Sequence, residues 1–81
     1  MQRTRIKICG LTRPQDVIEA VASGADAVGF VCYGPSPRYV AQEHLRELAA
    51  AVPPFVTPVL LFVNAPLQLV DSCLAQVPQA V

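Results

Sequence analysis

The 81 residues predict an α/β fold built on a parallel sheet, and three observations carry that expectation. Strand-like and helix-like segments alternate three times, in the order β-α-β-α-β-α. Glycine or proline punctuates most of the changes of element. The second and third strand segments are apolar throughout, the pattern of strands covered on both faces. Such an order implies right-handed crossovers between parallel strands.

Each element has its own local reason. Arg5-Ile6-Lys7-Ile8-Cys9 alternates with period two, with Ile6 and Ile8 on one face, and Gly10 ends it. Thr12 and Gln15 have capping-box spacing, Pro14 suits a first turn and Asp16 suits the helix dipole, so a helix is expected from about Arg13 to Ser23. Gly24 is its C-terminal stop. Ala27 to Cys32 is the second strand. Tyr33 to Val40 holds Gly34, Pro35 and Pro37 and is read as loop. Gln42 to Ala51 is helical, with Leu45, Leu48, Ala49 and Val52 on one face, and Pro53-Pro54 ends it. The third strand runs from about Pro58 to Val63. Pro66 then opens a helix whose Leu67, Val70, Leu74 and Val77 share a face.

Three such units suit either a doubly wound sheet or a (β/α)8 barrel. Lys7 favours the barrel: it shares a strand face with Cys9, and a barrel interior can hold a lysine paired with a carboxylate of another strand, whereas a helix-covered sheet face rarely does. Composition narrows the function classes. The chain is 53% hydrophobic and 15% charged with a net charge of zero, so neither nucleic acid nor a membrane surface is expected as a partner held by bulk charge. The longest unbroken aliphatic and aromatic run, Val59 to Val63, is too short to span a bilayer or serve as a secretory core. A cytoplasmic location is the expectation. Cys9, Cys32 and Cys73 are widely spaced and odd in number, which suits free thiols and indicates neither a disulfide framework nor a zinc site. After Glu47 the only charged side chain is Asp71. A half so apolar calls for a neighbour to pack against, and the chain reads as an incomplete piece.

In either fold, active sites gather beyond the C-terminal ends of the strands, here at Cys9 to Thr12, Cys32 to Arg38 and Asn64-Ala65. A helix N-terminus and Lys7, roughly 6.6 Å back by strand rise, could stabilise a Cys9 thiolate as base or nucleophile. Spacing alone favours the plainer reading, in which Cys9 is a small packed hydrophobe. Arg38, in a stiff proline-flanked loop, could grip a carboxylate or phosphate with its planar fork, or simply be solvated. Gly29 marks either a close backbone approach or a weak point in its strand. His44 reads as solvated, Cys32 and Cys73 as packed thiols, and Asn64 as either facing the site or only preceding a helix.

Taken together, Lys7-Ile8-Cys9-Gly10-Leu11-Thr12, Gly24-Ala25-Asp26 leading to Gly29-Phe30, Ser36-Pro37-Arg38-Tyr39-Val40 and Phe62-Val63-Asn64 resemble the phosphoribosylanthranilate isomerases of tryptophan biosynthesis. The resemblance covers essentially the whole chain but only part of the family, whose members are (β/α)8 barrels of about 200 residues. It implies that residues 1–81 are the N-terminal part of one barrel domain, its first three βα units. It also implies that a fourth strand follows Val81.

The activity so implied is an Amadori rearrangement of the small-molecule substrate N-(5-phosphoribosyl)anthranilate to 1-(2-carboxyphenylamino)-1-deoxyribulose 5-phosphate, with no cofactor and no metal. An acid opens the ribose ring to a Schiff base, a base removes the C2′ proton, and the enolamine tautomerises to the ketone. Cys9 matches the family's general base and Arg38 the arginine that holds the anthranilate carboxylate. The family's acid and phosphate site belong to later units, so the fragment alone is expected to be inactive. Its uncovered apolar strands and open sheet edges lead to the expectation that it self-associates. The alternative is a non-catalytic αβ module, or a remnant, that pairs with another chain. Two departures from the family pattern stand out. Ala41 replaces a frequent capping residue at a cost of ~1 kcal/mol. Leu60 replaces a usually small residue and is expected to crowd the interior by ~1 to 3 kcal/mol unless compensated.

Overall fold

A computed structural model describes residues 4–81 and contains the six elements in the expected order: β1 (Lys7–Cys9), α1 (Pro14–Ala22), β2 (Ala27–Val31), α2 (Gln42–Ala50), β3 (Thr57–Leu61) and α3 (Leu67–Gln76). The strands form one parallel sheet in the order β1-β2-β3, with Cys9 opposite Gly29 and Gly29 opposite Val59. Val81 extends the sheet at the free edge of β3. Its N–H donates to Pro58 O and its carbonyl accepts from Leu60 N, both at 3.0 Å, which places it in parallel register opposite Val59.

The core lies between the sheet and its helices. Val28 and Phe30 of β2 and Pro58 and Leu60 of β3 turn toward that side and pack with Val17, Leu45, Leu48, Cys73 and Val77. All four residues expected on the apolar face of α2 are buried. The opposite face of the sheet carries Lys7 and Cys9, then Ala27, Gly29 and Val31, then Thr57, Val59 and Leu61, by the alternation of the strands. Leu60 is therefore a core residue 8% exposed on the helix side, and the expected crowding of a barrel interior does not arise from it. Phe62 also packs against the helix-side core.

Several boundaries differ from the sequence reading, each for a physical reason. β1 begins at Lys7 rather than Arg5, because its partner strand begins at Ala27. Ahead of it the Ile6 N–H donates to Asp26 Oδ2 at 2.8 Å and its carbonyl accepts from Asp26 N. The N-cap of α1 is Arg13, not Thr12, and no side chain caps it. Pro14 at the first helical position holds the residue before it extended, so Arg13 takes the cap position. Its guanidinium grips Asp16 through two hydrogen bonds of 2.9 and 3.0 Å, which raises the Arg13 pKa and lowers that of Asp16.

At the other end, Gly24 at φ 98° closes α1 in a Schellman motif, Gly24 N donating to Val21 O and Ala25 N to Ala20 O. Ala41 caps α2 without a side-chain bond, as its chemistry requires. On α3 the buried stripe is shifted: Cys73 and Val77 are buried and Val70 and Leu74 half-buried, while Leu67 is 73% exposed. Pro66 is the N-cap rather than the first helical residue.

Candidate functional site

The C-terminal end of the sheet brings together the two residues singled out for chemistry. Cys9 closes β1 and is an exposed free thiol. Arg38 lies in the loop after β2, a loop held in shape by its own bonds. Ser36 N donates to Tyr33 O, Tyr39 N to Ser36 O, and Arg38 N to the Ser36 hydroxyl at 3.1 Å. The loop returns to the sheet at once: Tyr39 bridges Val31 in parallel sense and Val40 N donates to Val31 O at 2.8 Å. The seven residues between Val31 and Tyr39 are thus turned back at the strand ends, with Arg38 next to the anchor.

Two glycines make the juxtaposition sterically possible. Gly10 has φ 82°, and a β-carbon there would stand 2.6 Å from Arg38 Cδ and 3.0 Å from Nη1, so the arginine stem lies across its α-carbon. Gly29, opposite Cys9 in the ladder, is seated in the same way: a β-carbon on it would meet Cys9 Sγ at 2.9 Å and Cys9 Cα at 3.3 Å. Of the two roles open to Gly29, close approach is the one the structure adopts. The two glycines are also bonded to each other, since Gly29 O accepts from Gly10 N at 3.0 Å and from Leu11 N at 3.3 Å. In the sequence Gly10 stands as a strand end within the Cys9–Thr12 segment, with no contact assigned to it. A glycine after a strand hints at positive φ, but nothing in the sequence names Arg38 as its neighbour.

The other candidates fall outside this site. His44 is exposed on α2. Asn64 is exposed at φ 49°, a left-handed conformation that asparagine tolerates, in the turn that leads to Pro66. Cys32 and Cys73 are buried on the helix side of the sheet, where they line a cavity of about 270 Å³ with Leu69 and Val40. Burial pushes the Cys32 thiol up to about 12, with the neighbouring Cys73 adding to the shift, and burial raises Cys73 as well. Both thiols stay protonated at neutral pH. They are packing groups, whereas Cys9 is open to solvent.

Three parallel βα units with their core on one side of the sheet and the other face open fit a segment of a (β/α)8 barrel better than a doubly wound sheet, which is covered on both faces. The exposed thiol and the arginine stand at the strand ends where sites gather in that fold. Comparison with known proteins makes the assignment specific. Residues 6–81 match the family described as N-(5'-phosphoribosyl)anthranilate (PRA) isomerase, and the chain belongs to that family.

Among curated relatives, the N-(5'-phosphoribosyl)anthranilate isomerase of Ralstonia pickettii is 60% identical over 78 residues, covering 96% of this chain and 34% of the relative. Among solved structures, the phosphoribosyl anthranilate isomerase of Thermotoga maritima superposes with a TM-score of 0.89 at 42% identity, covering 95% of this chain and 38% of that one. A second, also at 0.89 and 42% and covering 95% and 40%, is in complex with reduced 1-(o-carboxyphenylamino)-1-deoxyribulose 5-phosphate. The chain spans about a third of the length of the curated relatives it matches. Among the described residues, no helix is long and apolar enough to cross a membrane.

Proposed function

We propose that this chain carries the general base and the carboxylate grip of an aldose–ketose isomerase acting on N-(5-phosphoribosyl)anthranilate in tryptophan biosynthesis, within a single barrel domain of which residues 1–81 form the first three units. The observation that carries the reading is the placement of Arg38 against Gly10 and of Cys9 against Gly29 at the same strand ends. Once the ribose ring has opened to the Schiff base, the Cys9 thiolate takes the proton from C2′. The electron pair of that C–H bond moves toward the iminium, and the resulting enolamine becomes the ketone. C2′ is oxidised and C1′ reduced within one molecule, so no external electron carrier enters the balance.

Arg38 serves the other end of the substrate. Its planar fork suits a bidentate grip on the anthranilate carboxylate, away from the proton transfer. The acid that opens the ring and the phosphate site lie on later units of the barrel. The test is a completed barrel, these 81 residues continued with the rest of the Ralstonia pickettii relative, assayed by loss of substrate fluorescence. Cys9→Ala should abolish turnover, while the 81-residue chain alone should show none above buffer. Turnover that survives Cys9→Ala in the completed barrel sinks the role of Cys9 as the base, and a completed barrel with no turnover at all leaves a binding module in place of the enzyme.

A further inference from the structure

We propose that Gly10 and Gly29 are positioning residues that act as one seat, Gly29 setting the Cys9 thiol and Gly10 setting the Arg38 guanidinium, so that the base and the carboxylate grip are held at a fixed separation. The proposal rests on the roles given above to Cys9 and Arg38. Three observations support it. Each glycine faces one of the two side chains at a distance that admits no β-carbon. The glycines are joined by the 3.0 Å hydrogen bond from Gly10 N to Gly29 O, so neither can shift without the other. Gly29 is also locked into the central strand between Cys9 and Val59.

The consequences of filling the two positions differ in kind. At Gly29, the tightest contact of an added methyl group is with Sγ, at 2.9 Å, while the Cys9 backbone is only slightly crowded at 3.3 Å. Cysteine has one side-chain torsion, so relief means a swing to another staggered rotamer, which carries the sulfur about 3 Å away. A misplacement of even 1 Å at a reacting atom can cost about 100-fold in rate. At Gly10 the added methyl group meets the flexible arginine stem, 2.6 Å from Cδ, and pushes the guanidinium off its place. That loss falls on a contact made equally in ground and transition states, so it raises KM.

The experiment is a kinetic split in the completed barrel. Gly29→Ala should lower kcat about 100-fold with KM within about twofold, and slow or accelerate alkylation of Cys9 by iodoacetamide. Gly10→Ala should raise KM about tenfold with kcat within about twofold and Cys9 alkylation unchanged. Because alanine at φ 82° is strained, Gly10→Asn, which tolerates that region, is measured beside it.

Double variants separate positioning from general damage. The KM effect of Gly10→Ala should vanish in an Arg38→Ala background. The fall in melting temperature caused by Gly29→Ala should shrink in a Cys9→Ala background, where the clashing sulfur is gone. That comparison stands even if Gly29→Ala alone fails to fold, since the double variant should then fold. Additive effects in both cycles, or equal losses of kcat and KM from both glycines, overturn the proposal while Cys9 and Arg38 keep their roles. If Cys9→Ala and Arg38→Ala themselves leave the kinetics unchanged, the functional reading falls first and the positioning proposal with it.

Discussion

Alkaline stability provides a direct test of how the helix-side core is built. Cys32 is 6% exposed, and burial together with the adjacent Cys73 raises its pKa from 9.0 to about 12. The folded state therefore keeps a proton that the unfolded chain gives up above pH 9. The contribution of this group is complete below pH 9 and is lost as the pH rises toward 12. At pH 10 the unfolded thiol is mostly ionised and the folded one still protonated, so the loss relative to pH 7 is about 1.4 kcal/mol, nearly one full unit of linkage. In a completed barrel of about 200 residues that corresponds to a fall in melting temperature of roughly 3 to 6 °C.

Other effects of alkaline pH are cancelled by measuring a difference. Thermal unfolding is followed between pH 7 and 10 under reducing conditions for the completed barrel, as the parent, and for its Cys32→Ala variant. The variant should lose less stability over that interval by about 1 kcal/mol, and Cys32→Ala with Cys73→Ala less again, because burial raises both thiols. Identical alkaline losses in the parent and the double variant would refute the burial argument and place the two thiols in solvent-like surroundings.

Three further outcomes are expected. Gly24→Ala, at φ 98° with nothing within 4 Å, should cost about 1 to 2 kcal/mol from backbone strain alone, whereas Gly34→Ala, equally uncrowded and without positive φ, should be neutral or stabilise by about 0.4 to 1 kcal/mol; chemical denaturation of both variants decides it. Arg38→Met in the completed barrel should raise KM with turnover nearly unchanged, and a large fall in kcat at constant KM would instead make Arg38 part of the proton-transfer geometry. The 81-residue chain at micromolar concentration should sediment as dimers or larger species, since its open sheet face carries Val31, Val59 and Leu61, and a sharply unfolding monomer would contradict that.

The α/β class with its parallel sheet, the element order and the placement of the candidate residues at the C-terminal strand ends follow from the sequence alone. Periodicity, glycine and proline punctuation and the apolar second and third strands are local properties that hold whatever the chain packs against. The apolar face of α2 was legible for the same reason. Cys9 and Arg38 were legible as candidates because each stands at the end of a strand or in the loop after one, and the resemblance of the motifs around them pointed to their roles.

Only the tertiary structure decided the rest. Cys73 rather than Leu67 joins the buried stripe of α3, because burial depends on what lies beside the helix and not on the helix's own period. Arg13 displaces Thr12 as N-cap through the constraint that Pro14 imposes on the residue before it. The seating of Cys9 on Gly29 and of Arg38 on Gly10 joins residues 20 and 28 positions apart in sequence. Such contacts exist only once the β1–β2 register puts Cys9 opposite Gly29 and the loop after β2 folds back to the strand ends. Distance along the chain carries no record of that register; it is set by which faces the strands must bury against the helices.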